Sequence, residues 1–180
     1  ITNDLGIKRL ELLAEGEKPF LHVIFYQAPH YPEQPADEYY ELYKDAEILY
    51  PPNYEDIDPY TPTYSPRSPR PYKYCADYQK YGGNMKEYKK RYNAMCTQID
   101  AGVGRIINRL EELGIYDDTL LVFSSDHGDM QGSHGLLNKC YPYEESCGIP
   151  LILKAENTIP PIKGSDTTKP TSPIIRSSII

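Results

Sequence analysis

No stretch of the sequence approaches the roughly 20 consecutive apolar residues that a membrane-spanning helix requires. The first residues, Ile1 to Asp4, lack the basic start and apolar run of a signal peptide. Initiator methionine is also missing, which suggests a fragment or a processed product, with any targeting segment upstream. Clustered positive charge is scarce overall: the formal net charge is −7 and the pI is near 5.1. Phosphate backbones call for the opposite sign, so nucleic acid is excluded as the expected partner. The four cysteines, Cys75, Cys96, Cys140 and Cys147, form neither a Cys-x-x-Cys pair nor a zinc-finger pattern. They read first as buried free thiols, with a disulfide among them left open.

Glycine and serine are also sparse where proline is dense. Ten prolines fall between Pro29 and Pro71, and fifteen of the eighteen tyrosines between Tyr26 and Tyr92. So many prolines forbid long regular structure. Proline with tyrosine, but little glycine or serine, points to an ordered, packed excursion over residues 31–83 rather than a flexible linker. Its charge is split: nine acidic residues and one lysine from Pro29 to Tyr60, then eight basic and two acidic from Arg67 to Arg91. Two solvated faces account for this, and a basic lip over an anionic substrate is the sharper alternative.

Around this excursion lie regular elements. Glu11 to Lys18 looks like a helix end, closed by Pro19. Phe20 to Tyr26 is an apolar, β-branched and aromatic run with the character of a buried strand. Met85, Tyr88, Tyr92, Met95, Ile99, Val103, Ile106, Leu110 and Leu113 step by three or four, the stripe of an amphipathic helix. Asn84 and Glu87 form a capping-box pattern at its start, and Gly114 suits the left-handed residue past its end. Gly102 and Gly104 inside it hint at close packing. Leu120 to Ser124 and Ile149 to Leu153 read as two more strands. Strand, long helix, strand, loop and strand predict an α/β fold with a mostly parallel sheet flanked by helices. Residues 1–154 would form a partial catalytic domain interrupted by 31–83, with 155–180 a polar tail left unplaced.

In such sheets ligands bind beyond the carboxyl ends of the strands. Asp126 and His127 stand there, followed by Gly128, Asp129, Gly132, His134 and Lys139, and His30 follows the first strand. Carboxylate and imidazole are competent metal ligands, although for the tripeptide Asp126-His127-Gly128 taken alone a loop aspartate capping its own turn is the commoner reading. A lysine beside a metal can hold an anionic oxygen, and a positioned histidine can protonate a leaving oxygen.

Phe25-Tyr26-Gln27-Ala28-Pro29-His30-Tyr31-Pro32 resembles the Pro-His-x-Pro element of type I sulfatases. The helix from Tyr92 to Gly114 is similar to their long helix. Thr119 to Gly135 is similar to their Thr-Leu-x-Val-Phe-Ser-Ser-Asp-His-Gly-Asp-Met-x-Gly-x-His-Gly block. Lys139, Tyr143-Glu144-Glu145-Ser146 and Ile149-Pro150-Leu151-Ile152 continue it in order, and Pro51-Pro52-Asn53 resembles a segment of many bacterial members. The resemblance implies an alkaline-phosphatase-like fold and a sulfuric ester hydrolase acting on a small-molecule or glycan sulfate ester. It implies a periplasmic, secreted or lysosomal setting.

The resemblance also implies that Asp126 and His127 are ligands of one divalent cation, usually Ca²⁺, with Mg²⁺ an alternative; because calcium prefers all-oxygen shells, His127 leaves Mn²⁺ or another transition metal open. Lys139 would contact the sulfate, His134 would bind substrate, and His30 would serve the sulfate or the leaving group. The family nucleophile is a formylglycine made from the Cys or Ser of a Cys/Ser-x-Pro-x-Arg motif. That motif is absent here, since Ser65-Pro66-Arg67-Ser68-Pro69-Arg70 has the wrong spacing. The nucleophile is therefore expected outside this chain. Phosphonate or phosphodiester hydrolysis is the alternative within the superfamily, and a non-catalytic remnant is the alternative outside catalysis.

Overall fold

The computed structural model describes residues 1–54, 56 and 84–155. Residues 57–83 of the expected excursion, with Cys75, and 156–180 of the tail lie outside the described residues. In chain order the described elements are α1 (Thr2–Ala14), α2 (Asp37–Glu41), α3 (Met85–Glu112), β1 (Leu121–Ser124), a 3₁₀ turn (Ser133–Gly135), α4 (Glu144–Cys147) and β2 (Leu151–Lys154). The chain divides into two compact units. One comprises 1–25, 103–126 and 148–180; the other comprises 26–102 and 127–147. None of the described helices is long and apolar enough to cross a membrane.

The long helix follows from its sequence signals. The backbone N–H of Glu87 donates to Asn84 Oδ1 at 3.1 Å, satisfying one of the orphan donors of the first turn. At the other end Gly114 takes φ of 70°. Its N–H reaches the Glu111 carbonyl at 2.9 Å, while Ile115 N–H reaches that of Leu110 at 3.1 Å. These paired bonds are a Schellman closure, which favours glycine because L side chains resist positive φ. The two interior glycines behave differently. Gly102 is buried, but an added Cβ at Gly104 would meet nothing within 4 Å, so close packing there is not what the structure shows. Gly104→Ala is accordingly expected to stabilise the chain by about 1 kcal/mol, through reduced backbone entropy of the unfolded state. Thermal unfolding of the two forms checks this, and a lowered melting temperature would reveal an unseen contact.

In the first unit α1 rests on the extended segment 20–25. Gly6 faces that segment, where an added Cβ would stand 2.8 Å from the Ile24 Cδ1 methyl. His22 Nε2 donates to the Gly6 carbonyl at 3.0 Å. Arg105 and Arg109 of α3 reach Asp4 and Glu11 of α1 at 2.6 and 2.9 Å. β1 and β2 pair antiparallel, with Leu121 opposite Lys154 and Ser124 opposite Leu151. The expected mostly parallel pairing is thus represented, among the described residues, by one antiparallel ladder. The apolar runs identified strands but carried no information on their direction. Phe20–Tyr26, expected as a strand, runs extended with alternating burial and is assigned to no ladder. Leu21 and Phe25 are 87% and 85% exposed.

In the second unit residues 36–44 lie along the first half of α3. Tyr40 donates its hydroxyl to Glu87, which also takes Arg91 Nε at 2.7 Å, and the Arg91 guanidinium sits 4.7 Å over the Tyr40 ring. Tyr43 and Thr97 share a hydroxyl hydrogen bond of 2.8 Å. Residues 36–44 of the excursion therefore pack on α3. Met85, Tyr88 and Leu137 form a buried cluster with Tyr54 against it. Burying each such side chain contributes roughly 1.5–3 kcal/mol, against about 0–1 for an exposed ion pair, so packing dominates here.

Candidate active-site loop

The site residues lie mainly on residues 127–140, which leave β1 and wind back on themselves. Main-chain bonds build the turn: Met130 N–H to Asn138 O at 2.7 Å, Gly132 N–H to Leu136 O at 2.8 Å, and Gly135 N–H to Gly132 O at 2.9 Å. Met130, Leu136 and Leu137 anchor it by burial at 0–2% exposure. Four non-glycine residues here take left-handed φ: Gln131 at 46°, His134 at 53°, Asn138 at 65° and Cys140 at 76°. Such residues are disfavoured by about 1–2 kcal/mol each. They persist only where the surroundings over-determine them, as functional sites often do. Lys139 stands between two of them.

The histidines share a geometry. His30 Nδ1 is 3.0 Å from the Tyr31 carbonyl, His127 Nδ1 2.8 Å from that of Gly128, and His134 Nδ1 3.2 Å from that of Asp56. A carbonyl oxygen only accepts, so each Nδ1 carries the hydrogen and, in the neutral ring, Nε2 carries the lone pair. That is the arrangement a metal-binding imidazole adopts, with its second nitrogen tied to a carbonyl. His22 is the contrast, because its Nε2 is the nitrogen engaged.

Asp129 accepts from Gln131 N–H at 3.0 Å and Gln131 Nε2 at 2.9 Å. Burial raises its carboxyl above the ordinary range, while the Gln131 bonds and the charges of Lys139 and His127 pull against that rise. His30 makes local contacts, with its N–H on the Gln27 carbonyl at 2.9 Å and its ring 4.4 Å from that of Tyr31. His134 stacks on Tyr143 at 4.4 Å with planes 21° apart. Asp126 is exposed and accepts from Ser125 Oγ at 3.4 Å; the division into units falls between it and His127.

As a metal site the donor set fits in part. Asp126 and His127 have the donor chemistry of metal ligands, yet no group of three or more His, Cys, Asp or Glu side chains converges among the described residues. The remaining ligands would have to be supplied from elsewhere.

One correction concerns residue environment. Cys96, Cys140 and Cys147 are free but exposed, not buried. Cys96 falls beside the stripe position that Met95 fills, Cys140 sits in the tight loop, and Cys147 ends α4 with Sγ 3.3 Å from the Tyr141 carbonyl. Asn53 and Glu145 also matter to this loop, although their sequence segments had been noted without a role. Asn53 Nδ2 donates to Glu145 Oε1 at 3.2 Å across 92 residues of sequence. Nothing in either segment signals the other.

A family model described as Sulfatase matches residues 3–175. The chain is 31% identical over 156 residues to the multifunctional alkaline phosphatase superfamily protein PehA of Trinickia caryophylli, covering 78% of this chain and 29% of that protein. It is also 31% identical over 153 residues to choline-sulfatase of Rhizobium meliloti, covering 81% and 28%. Among solved structures, the phosphonate monoester hydrolase SpPMH from Silicibacter pomeroyi matches with a TM-score of 0.68 at 26% identity, over 86% of this chain and 32% of that one. The chain therefore spans less than a third of the length of these relatives.

Proposed function

Because the chain belongs to the sulfatase family, α/β proteins of the alkaline-phosphatase superfamily, we propose that it forms part of a hydrolase that cleaves a sulfate ester. The observation that carries this reading is the family match over residues 3–175, which includes the loop where His127, Lys139 and His134 stand. Asp126 and His127 Nε2 are assigned to one divalent cation, Ca²⁺ by resemblance, whose remaining ligands lie outside the described residues. A bound cation would supply positive charge to a sulfate oxygen. The nucleophile, a formylglycine by resemblance, lies outside these 180 residues.

This chain's own residues then have three tasks. Lys139 holds a sulfate oxygen and offsets the negative charge that grows on the group as the ester bond breaks. His134, its Nδ1–H committed to the Asp56 carbonyl, presents Nε2 to the substrate. His30, fixed in the same sense by the Tyr31 carbonyl, moves its proton at Nε2. In the imidazolium form it delivers that proton to the departing alkoxide oxygen.

Phosphonate or phosphodiester hydrolysis is the second reading, favoured by the likeness to the phosphonate monoester hydrolase from Silicibacter pomeroyi. Relative turnover of an aryl sulfate and an aryl phosphonate monoester by the full-length protein separates the two. A clear preference for the sulfate is expected, and a preference for the phosphonate would replace the first reading by the second. The 180-residue chain alone should show no metal-dependent turnover of either ester. Robust aryl sulfate hydrolysis by the isolated chain would overturn the placement of the nucleophile outside it.

A further inference from the structure

The loop that bears Lys139 is held from outside by a segment that the chemistry above does not use. Residues 50–54 and 56 reach it from the Tyr- and Pro-rich excursion, and Asn53 grips it twice. The Asn53 carbonyl accepts from His134 N–H at 3.1 Å, and its side-chain amide donates to Glu145 Oε1 at 3.2 Å. Beside it, Tyr54 closes on Gly132 so tightly that a Cβ there would stand 3.2 Å from Tyr54 Cδ2. The Asp56 carbonyl takes His134 Nδ1–H.

Glu145 is the receiving end of the grip. Burial opposes its charge, yet bonds from its own backbone N–H, from Asn53 and from Ser133, with the nearby His134, hold its carboxyl below the ordinary value. Asn53 and Ser133 therefore converge on a carboxylate, the acceptor that gives the stronger, charge-assisted bonds.

We propose that Asn53 is a positioning residue: by clamping His134 and Glu145 together it fixes the left-handed turn 131–140 and, through it, Lys139. The role of Lys139 rests on the sulfate-ester reading; the clamp does not. The turn needs such a clamp, since four residues of it take left-handed φ and two of them flank Lys139. Left to themselves these residues would relax toward ordinary backbone, and the ammonium would move with them. A misplacement of about 1 Å in a catalytic group is enough to lose on the order of 100-fold in rate.

An exchange of partners tests the clamp without relying on loss alone. Asn53→Asp sets a carboxylate against Glu145, whereas Asn53→Asp with Glu145→Gln restores one N–H···O bond with donor and acceptor exchanged and the net charge unchanged. Two measurements are made: backbone hydrogen exchange over 132–140 in the 180-residue chain, and kcat and KM for an aryl sulfate in the full-length protein. Asn53→Asp is expected to speed exchange at Ser133 to Leu136 by about tenfold or more. It should lower kcat by a similar factor with little change in KM, because Lys139 acts on charge that develops during reaction. The double variant should return both toward the original values. Unchanged exchange in Asn53→Asp overturns the proposal, as does a double variant as impaired as the single one. If the unaltered full-length protein hydrolyses no sulfate ester, the sulfate-ester reading fails, and exchange with its rescue alone decides the clamp.

Discussion

Lys139→Ala in the full-length protein is expected to lower kcat/KM for a sulfate ester by about 10²–10³, or roughly 3–4 kcal/mol of transition-state stabilisation. The size follows from the setting. A single positive group aimed at developing charge is worth most when its backbone is held, and the bond from Met130 N–H to the Asn138 carbonyl at 2.7 Å holds the residue before it. Most of the loss should fall on kcat. Lys139→Arg should recover only part, since a planar guanidinium does not reproduce a compact ammonium at the end of a flexible stem. Steady-state kinetics of the three forms checks this, together with unfolding curves to confirm that they fold alike. A Lys139→Ala protein within threefold of the original would remove Lys139 from the chemistry.

The largest structural effect is expected at Gly132. Its φ is 98°, a Cβ would approach Tyr54 Cδ2 at 3.2 Å and Met85 Cε at 3.3 Å, and the residue is buried. Gly132→Ala therefore combines backbone strain with overpacking and is expected to destabilise the chain by about 2–4 kcal/mol. The Met85 methyl can yield, being the end of a flexible side chain; the Tyr54 ring, stacked on Tyr50 at 4.3 Å, has less room. Denaturant unfolding of the variant measures the sum. A change under 0.5 kcal/mol would mean that Tyr54 does not hold the loop as described.

Much of this architecture was legible in the sequence, and the reasons for success and failure are physical. The helix Met85–Glu112 announced itself through a repeating apolar stripe, a side-chain cap and a terminal glycine, all of them local signals. The loop after β1 was legible through its glycines and its run of Asp, His and Lys. The antiparallel direction of the one described pair, β1 with β2, was not, because a four-residue run is too short to say which way its partner runs. Gly104 misled for a related reason: glycine in a helix signals either close packing or nothing, and only the neighbouring chain decides. The exposure of Cys96 depends on which face of α3 is covered. Asn53 escaped notice because its partner lies 92 residues away, and long-range polar pairs leave no periodicity behind.

The candidate loop also bears on how freely this sequence can drift. Several of its hydrogen bonds join main-chain amides to main-chain carbonyls, groups that every residue except proline carries in full. Exchanging a side chain of the turn therefore leaves those main-chain bonds in place, while Leu136 adds its burial and Ser133 its bond to Glu145. The information that specifies it is concentrated in a few letters: a glycine at 132, residues that tolerate the left-handed region at 131, 134, 138 and 140, and the amide of Asn53. Random mutagenesis should find tolerance spread widely across the loop and intolerance gathered at those letters, a distribution that sequence similarity averaged over the whole chain would conceal.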